Sequence, residues 1–270
     1  MEVFLTLLAF VPSVVWLYWI WRRDKYQREP LRLVLLLLIV GGIISVAGTL
    51  LTVMMYEPLV PSEEESPIIS MLFTAALPEE LWKMLPVLFF AWRSKQWDEP
   101  FDGIVYAGAT ALGFNLIETF LYMSAEEEVL GSIFQGLVRG TLGGHMVYGI
   151  IMGFFLSRAR FTGGRIRWTN LGLALAVPVS LHTAWNAALT YGGDIIEGDP
   201  FAGMFSWGLA TALWLLAFSY IRQTHDAAAW HPSAPSVQAA PTRCWQCKSA
   251  YPMGADFCQS CGAQVRAGGK

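Results

Sequence analysis

The stretch IISMLFTAALPEELWKMLPVLFFAW, Ile68–Trp92, is apolar almost throughout, yet it carries Glu79, Glu80 and Lys83 near its middle. A run of this length matches the ~20 residues an α-helix needs to cross a hydrocarbon core. Ionisable groups are expensive there: an insertion scale charges roughly 2.5–3.5 kcal/mol for an Asp, Lys or Arg at a helix centre. On a helix, Glu79 and Lys83 are i,i+4 and Glu80 and Lys83 are i,i+3, so one face holds an ion pair with a spare carboxylate beside it. Pro78 and Pro86 each lack an N–H. Together they predict a kinked or locally unwound helix whose freed backbone groups are met by protein or by a water-filled cavity.

The same apolar pattern extends outward over most of the chain. Apolar residues make up 54% and charged residues 14%, against roughly 25% charged in a soluble domain. Runs long enough to span a bilayer read as Val3–Trp21, Leu31–Tyr56, Ile68–Trp92, Phe101–Met123, Val129–Ser157, Thr169–Tyr191 and Phe201–Ile221. The expected fold is therefore an all-α polytopic membrane protein of seven transmembrane helices, with the lipid bilayer as its surroundings. Nothing basic precedes the first run and no small-residue cleavage site follows it, so it reads as a retained span rather than a signal peptide.

Charge in the loops predicts orientation. Arg22, Arg23, Lys25 and Arg28, then Arg93 and Lys95, then Arg158, Arg160, Arg165 and Arg167 fall in alternate loops, and the other loops hold no Lys or Arg. The positive-inside rule makes the basic loops cytoplasmic. The expectation is a multi-pass protein of the cell membrane with its N-terminus outside and its tail in the cytoplasm. The remaining loops are acidic (Glu63–Glu65, Glu126–Glu128, and Asp194, Glu197 and Asp199), as suits a solvated outer face. The net charge of −3 is uninformative as a total; no nucleic-acid partner is expected.

Beyond Arg222 the composition changes. Residues 223–241 are rich in Ala, Pro and Ser and read as an extended linker between a helical domain, 1–222, and a small module, 242–265. That module holds Cys244-Trp-Gln-Cys247 and Cys258-Gln-Ser-Cys261, a pair of C-x₂-C knuckles with ligand spacing for a tetrahedral Cys₄ zinc ribbon. So short a piece buries too little apolar surface to fold alone, so structural Zn²⁺ would supply the folding energy. Reduced thiolates agree with a cytoplasmic position.

Further polar residues lie inside the expected spans: Asn115 and Glu118, Arg139 and His145, then His182 and Asn186. Taken singly, each has a structural reading. A membrane histidine or asparagine serves as interhelical hydrogen-bonding glue, and Arg139 near a span end snorkels or pairs with the acidic loop. Taken together, carboxylates and imidazoles from consecutive spans, all at middle or outer depth with Glu118 nearer the outer end, point to a site. Gly140, Gly143 and Gly144 beside His145, with Gly103, Gly108 and Gly113 on the fourth span, predict close helix approach. A partly desolvated carboxylate can act as general base on water, while imidazole and amide groups donate to a developing oxyanion. Two His and a Glu could equally ligate a catalytic zinc, although no H-E-x-x-H pair stands on one helix. A proton-coupled transporter or a membrane sensor would use the same groups as a relay or as packing.

The motifs Glu79-Glu80-x-x-Lys83, Phe114-x-x-x-Glu118, His145 on a Gly-rich apolar helix, and His182-x-x-x-Asn186, in that order, resemble the PrsW family of intramembrane proteases. This is a branch of the CAAX-protease and bacteriocin-processing superfamily, and the resemblance covers roughly Ile68–Tyr191. It implies a helical core with the site between consecutive spans and cleavage of membrane-anchored proteins, in some members an anti-sigma factor. It also implies that Glu79 and Glu80 are the catalytic acid pair, one of them activating water. Glu118, His145 and His182 would complete the site, Asn186 would help hold the oxyanion, and Lys83 and Asn115 would support it. Both glutamate-dependent and metal-dependent mechanisms occur in descriptions of these relatives. The zinc ribbon lies beyond the family core and is suited to recruit a cytoplasmic partner or regulate access.

Overall fold

Helices form where the apolar runs are. The computed structural model describes residues 2–24, 28–125, 131, 133, 137, 144–194, 201–228, 242–243, 247, 249–251 and 258–261. Helix α1 covers Glu2–Arg23; α2 (Leu31–Leu36) continues through a π turn, Leu37–Gly41, into α3 (Gly42–Tyr56). The third run holds α4 (Pro67–Met71) and α5 (Leu77–Pro86). Then follow α6 (Asp102–Ala125), α7 (Gly144–Arg160), α8 (Gly164–Asp194) and α9 (Phe201–Ala228). Most of the first half of the fifth expected span, with Arg139, Gly140 and Gly143, lies outside the described residues. Among the described residues, two helical stretches, Leu31–Leu59 and Asp102–Ala125, are by themselves long and apolar enough to cross a membrane. Helix α9 runs on through Ala228, into the stretch expected as linker, and 229–241 lie outside the described residues.

The break expected around Pro78 and Pro86 takes the form of two π-helical turns, Leu72–Ala76 and Val87–Ala91, on either side of α5. A wider turn absorbs the disturbed hydrogen bonding without ending the helix. Trp92 N–H, for example, bonds to Val87 O at 2.9 Å, five residues back. The carbonyl that Pro86 leaves without a helical donor is that of Trp82, and Ser45 Oγ of α3 lies 2.9 Å from it. In the first π turn, the Tyr56 hydroxyl donates to Phe73 O.

Helix α6 is the central element. Every residue from Asp102 to Asn115 is buried, as expected of a helix that is apolar and small on all sides. It packs on α7, α3, α1 and α5, while α8 and α9 close over α7. Glycine makes two of these approaches. A Cβ on Gly153 would stand 2.6 Å from Gly103 C, and one on Gly42 would stand 2.6 Å from Gly113 C. At Gly108 the approach is made from the other side, a Cβ on Gly149 standing 3.2 Å from Gly108 Cα, whereas Gly144 has nothing nearer than 3.8 Å, so the close approach expected of Gly144 is not made. The outer surface keeps large apolar side chains exposed, including Met54, Met55, Leu59 and Phe89. Lipid contact accounts for such a surface; water does not.

At the end carrying the basic loops, α7 and α6 hold the chain turns in place. Arg160 donates from Nε to Trp97 O at 2.9 Å and from Nη2 to Ser94 O at 2.9 Å, and its Nη1 donates to Trp92 O. Asp102 Oδ2 accepts the backbone N–H groups of Asp98 at 2.7 Å and Glu99 at 2.8 Å. Beside it, Asp24 accepts the Glu29 N–H at 3.0 Å, and the Tyr106 hydroxyl donates to the Glu29 carboxylate. Burial, then the neighbouring charge of Asp102, pushes Glu29 up to about 11. Glu29 is therefore a neutral acid at physiological pH, and burial raises Asp24 as well. Past the helices, β1 (Thr242–Arg243) pairs antiparallel with β2 (Ala250–Tyr251).

Candidate active site

Glu79, Glu80 and Lys83 occupy one face of α5 and point inward, while Trp82 on another face lies across Gly48 and donates from Nε1 to Thr52 Oγ1 at 2.8 Å. Lys83 is 1% exposed and Glu80 is fully enclosed. The question of which carboxylate pairs with Lys83 is answered by distance. Lys83 Nζ is 2.7 Å from Glu80 Oε1 and 3.6 Å from Glu79 Oε2. The ammonium also lies 4.4 Å above the Phe114 ring of α6.

Helices α6, α7 and α8 bring the remaining groups. His145 Nδ1 is 2.9 Å from Lys83 Nζ and His145 Nε2 is 2.6 Å from Glu118 Oε2. An ammonium has no lone pair, so Nδ1 must accept and the ring proton sits on Nε2, where it donates to Glu118. His182 Nδ1 lies 2.9 Å from Glu80 Oε1, and its Nε2 lies 3.8 Å from Glu79 Oε2. Glu80 thus holds both Lys83 and His182 on one oxygen. Its Oε2 and Glu79 Oε2 are buried without a hydrogen-bond partner among the described residues.

One residue gave no warning in the sequence. Tyr148 of α7 stacks on His182 with centroids 4.9 Å apart and planes 19° apart, and its hydroxyl is buried without a partner among the described residues. It sits in an apolar run, MVYGIIMGFF, where an aromatic reads as packing.

The other expected residues are placed differently. Asn115 faces α1 and donates from Nδ2 to Ser13 Oγ at 3.0 Å. Asn186 follows His182 by one turn of α8 and is half-buried, with no hydrogen bond among the described residues. Cys247, Cys258 and Cys261 come together, with Cys247 Sγ 3.5 Å from Cys258 Sγ, and this cluster is able to bind a metal; Cys244 lies outside the described residues. Hydrogen bonds from Ser249 lower the Cys247 thiol to about 6, which favours the thiolate that a metal requires.

Within the bundle, Glu79, Glu80, His145 and His182 offer ligand atoms that all lie within 4.8 Å of one another. Their chemistry fits a divalent metal of the zinc type. Lys83 engages His145 Nδ1, so Glu79 Oε2, Glu80 Oε2 and His182 Nε2 are the donors left to such an ion, and the two carboxylate oxygens are those lacking partners. The same three atoms also suit a water molecule held next to a base.

Comparison with known proteins gives a consistent result. The model of the family described as "PrsW family intramembrane metalloprotease" matches residues 29–221. Protease PrsW of Oceanobacillus iheyensis is 28% identical over 81% of this chain and 94% of its own length. Protease PrsW of Clostridioides difficile is 30% identical over 70% of the chain and 80% of its own. For the Bacillus subtilis protein of the same name the values are 29%, 67% and 81%. No solved structure matches the chain.

Proposed function

The chain belongs to the PrsW family of intramembrane proteases, and from that premise we propose that Glu79 is the base that activates water for peptide-bond cleavage. The protein is an intramembrane endopeptidase acting on membrane-anchored substrates. The assignment of roles rests on one observation: acids and imidazoles from three helices converge to within 4.8 Å inside an apolar bundle.

Glu80 is committed to Lys83 and His182, which supports a positioning role. Glu79 keeps an oxygen without a hydrogen bond, which supports its role as base. As water attacks the scissile carbonyl, Glu79 takes its proton and then delivers it to the leaving amine, so that the bond breaks with atoms balanced. Tyr148 donates its hydroxyl, which has no partner among the described residues, to the oxyanion, with Asn186 as a further donor once substrate is bound. His145 and Glu118 hold Lys83 in place, and Lys83 in turn pairs with Glu80. When a divalent metal is bound, Glu79, Glu80 and His182 would hold it, and it would supply Lewis acidity to the water and carbonyl.

We further propose seven spans with the N-terminus outside. Arg160 and Arg167 both meet the 92–97 turn, which supports the basic loops sharing one face. The tail then carries a cytoplasmic Cys₄ zinc ribbon of Cys244, Cys247, Cys258 and Cys261, joined by a linker to the helical domain, which serves a partner or regulates access. A single-span anti-sigma factor is the substrate to try first.

The test is co-expression with tagged single-span membrane proteins. Wild type should release fragments, whereas Glu79→Gln and His182→Ala should not. Unchanged cleavage by both variants would remove this reading. Metal dependence is read by chelation of purified protein whose four ribbon cysteines are replaced by serine: lost activity restored by Zn²⁺ supports the metal-dependent form, and retained activity supports the glutamate-only form.

A further inference from the structure

Away from the buried acids, a cavity of about 500 Å³ opens between α7, α8 and α9 at the end of the molecule that carries the basic loops. Its lining divides by chemistry. Arg158 and Arg165 stand at the edge, Thr169 and Gln223 add polar groups, and Phe154 and Leu173 are apolar. Phe154 stacks on Tyr220 with centroids 4.4 Å apart, and the Arg158 guanidinium lies 5.5 Å from the Phe154 ring. Both arginines are exposed, and neither is ion-paired with a carboxylate among the described residues. No acidic residue is among the described residues that line the cavity.

Two arginines with no carboxylate partner among the described residues, over an apolar floor, call for an anion with a hydrocarbon part. The level of the cavity selects its source. Ile166 is 60% exposed and Trp168 is 72% exposed on the adjoining turn of α8, and exposed Trp among arginines marks the membrane–water boundary. At that depth the abundant anion is the phosphate of a lipid, and basic pockets between helices on the cytoplasmic side are suited to bind such headgroups.

We propose that this cavity binds an anionic glycerophospholipid, with its phosphate between Arg158 and Arg165 and an acyl chain along the apolar wall. The bound lipid bridges α7 and α8, the helices that carry His145 and His182, but the site is separate from them and does not depend on the catalytic reading.

The experiment is native mass spectrometry of the full chain, equilibrated with equal amounts of phosphatidylglycerol and phosphatidylcholine of the same acyl composition. Wild type should retain phosphatidylglycerol preferentially. Arg158→Gln/Arg165→Gln should reduce that retention by about 30-fold and leave phosphatidylcholine retention as it was. Arg158→Lys/Arg165→Lys should recover most of the preference. Arg22→Gln/Arg23→Gln, which removes the same charge at α1, should not alter it, and glycerol 3-phosphate at millimolar concentration should not displace the lipid. Equal retention of the two lipids by wild type, or an equal loss in the α1 variant, would overturn the proposal. Displacement by glycerol 3-phosphate would overturn it too, by making this a site for soluble anions.

Discussion

Two groups of buried acids stand in this molecule, and they behave differently. In the bundle, Glu79, Glu80 and Glu118 are interleaved with Lys83, His145 and His182. At the basic end, Asp24, Glu99 and Asp102 offer oxygens within 4.8 Å of one another, the charges of Arg28 and Arg160 act on Asp24 and Asp102, and burial pushes the neighbouring Glu29 up to about 11. The first group contains proton donors, acceptors and a fixed positive charge, and it leaves lone pairs of Glu79 and His182 facing each other at 3.8 Å. The second uses one oxygen each of Asp24 and Asp102 for backbone N–H groups and one of Glu29 for a tyrosine, holding loops against α6, and it too leaves Asp24 Oδ1 and Asp102 Oδ1 buried without a hydrogen-bond partner among the described residues. Buried charge alone therefore does not mark chemistry. What sets the first group apart is the mixture of carboxylate, imidazole and ammonium brought together from facing helices.

The largest expected effect separates the two groups directly. Glu79→Gln should lower cleavage by roughly 10²–10⁴-fold while the protein stays folded, and Glu29→Gln, the same substitution in the second group, should leave cleavage within a few-fold. Fragment yield from a tagged substrate measures both. Next, Tyr148→Phe removes only a hydroxyl and keeps the stack on His182; as an oxyanion donor it should cost roughly 10²–10³-fold in kcat with little change in KM. A tyrosine that merely packs would leave kcat unchanged.

Stability sharpens the contrast further. Lys83→Met strands Glu80 and should cost roughly 3–5 kcal/mol, the usual penalty for breaking one half of a buried pair, seen as a lower unfolding temperature in detergent. Lys83→Met/Glu80→Gln should regain part of it. The last effect is pH-dependent. Glu29 is protonated in the fold up to about 11 but ionises near its ordinary value when unfolded. The stability it contributes is therefore full below the unfolded value and declines as pH rises towards 11. Glu29→Gln cannot titrate, so its unfolding temperature relative to wild type should rise between pH 5 and pH 8. An unchanged difference would contradict the neutral acid.

Charged letters inside apolar runs made Glu79, Glu80, Lys83, His145 and His182 readable before any coordinates, because burying them is costly without a reason. Spacing could not say which acid meets Lys83, since i+3 and i+4 both reach; only the 2.7 Å against 3.6 Å separation decides it. Tyr148 was invisible because its polar atom is one among many in an aromatic-rich helix. Arg160 read as one more basic loop residue, yet it clamps three carbonyls of a distant turn. Glu29 and Asp102 sit at span edges, where charge costs little on paper and burial comes only from tertiary packing. Asn186 is legible at the oxyanion from the motif alone, and it stands one turn after His182, half-buried, with no side-chain hydrogen bond among the described residues.

The most direct measurement is a proteomic comparison of membrane-protein fragments in cells expressing wild type or Glu79→Gln/Glu80→Gln at equal levels. The account predicts a defined set of fragments cut within or beside single spans in wild type and their absence in the double variant. The same fragments at the same abundance in both would contradict it.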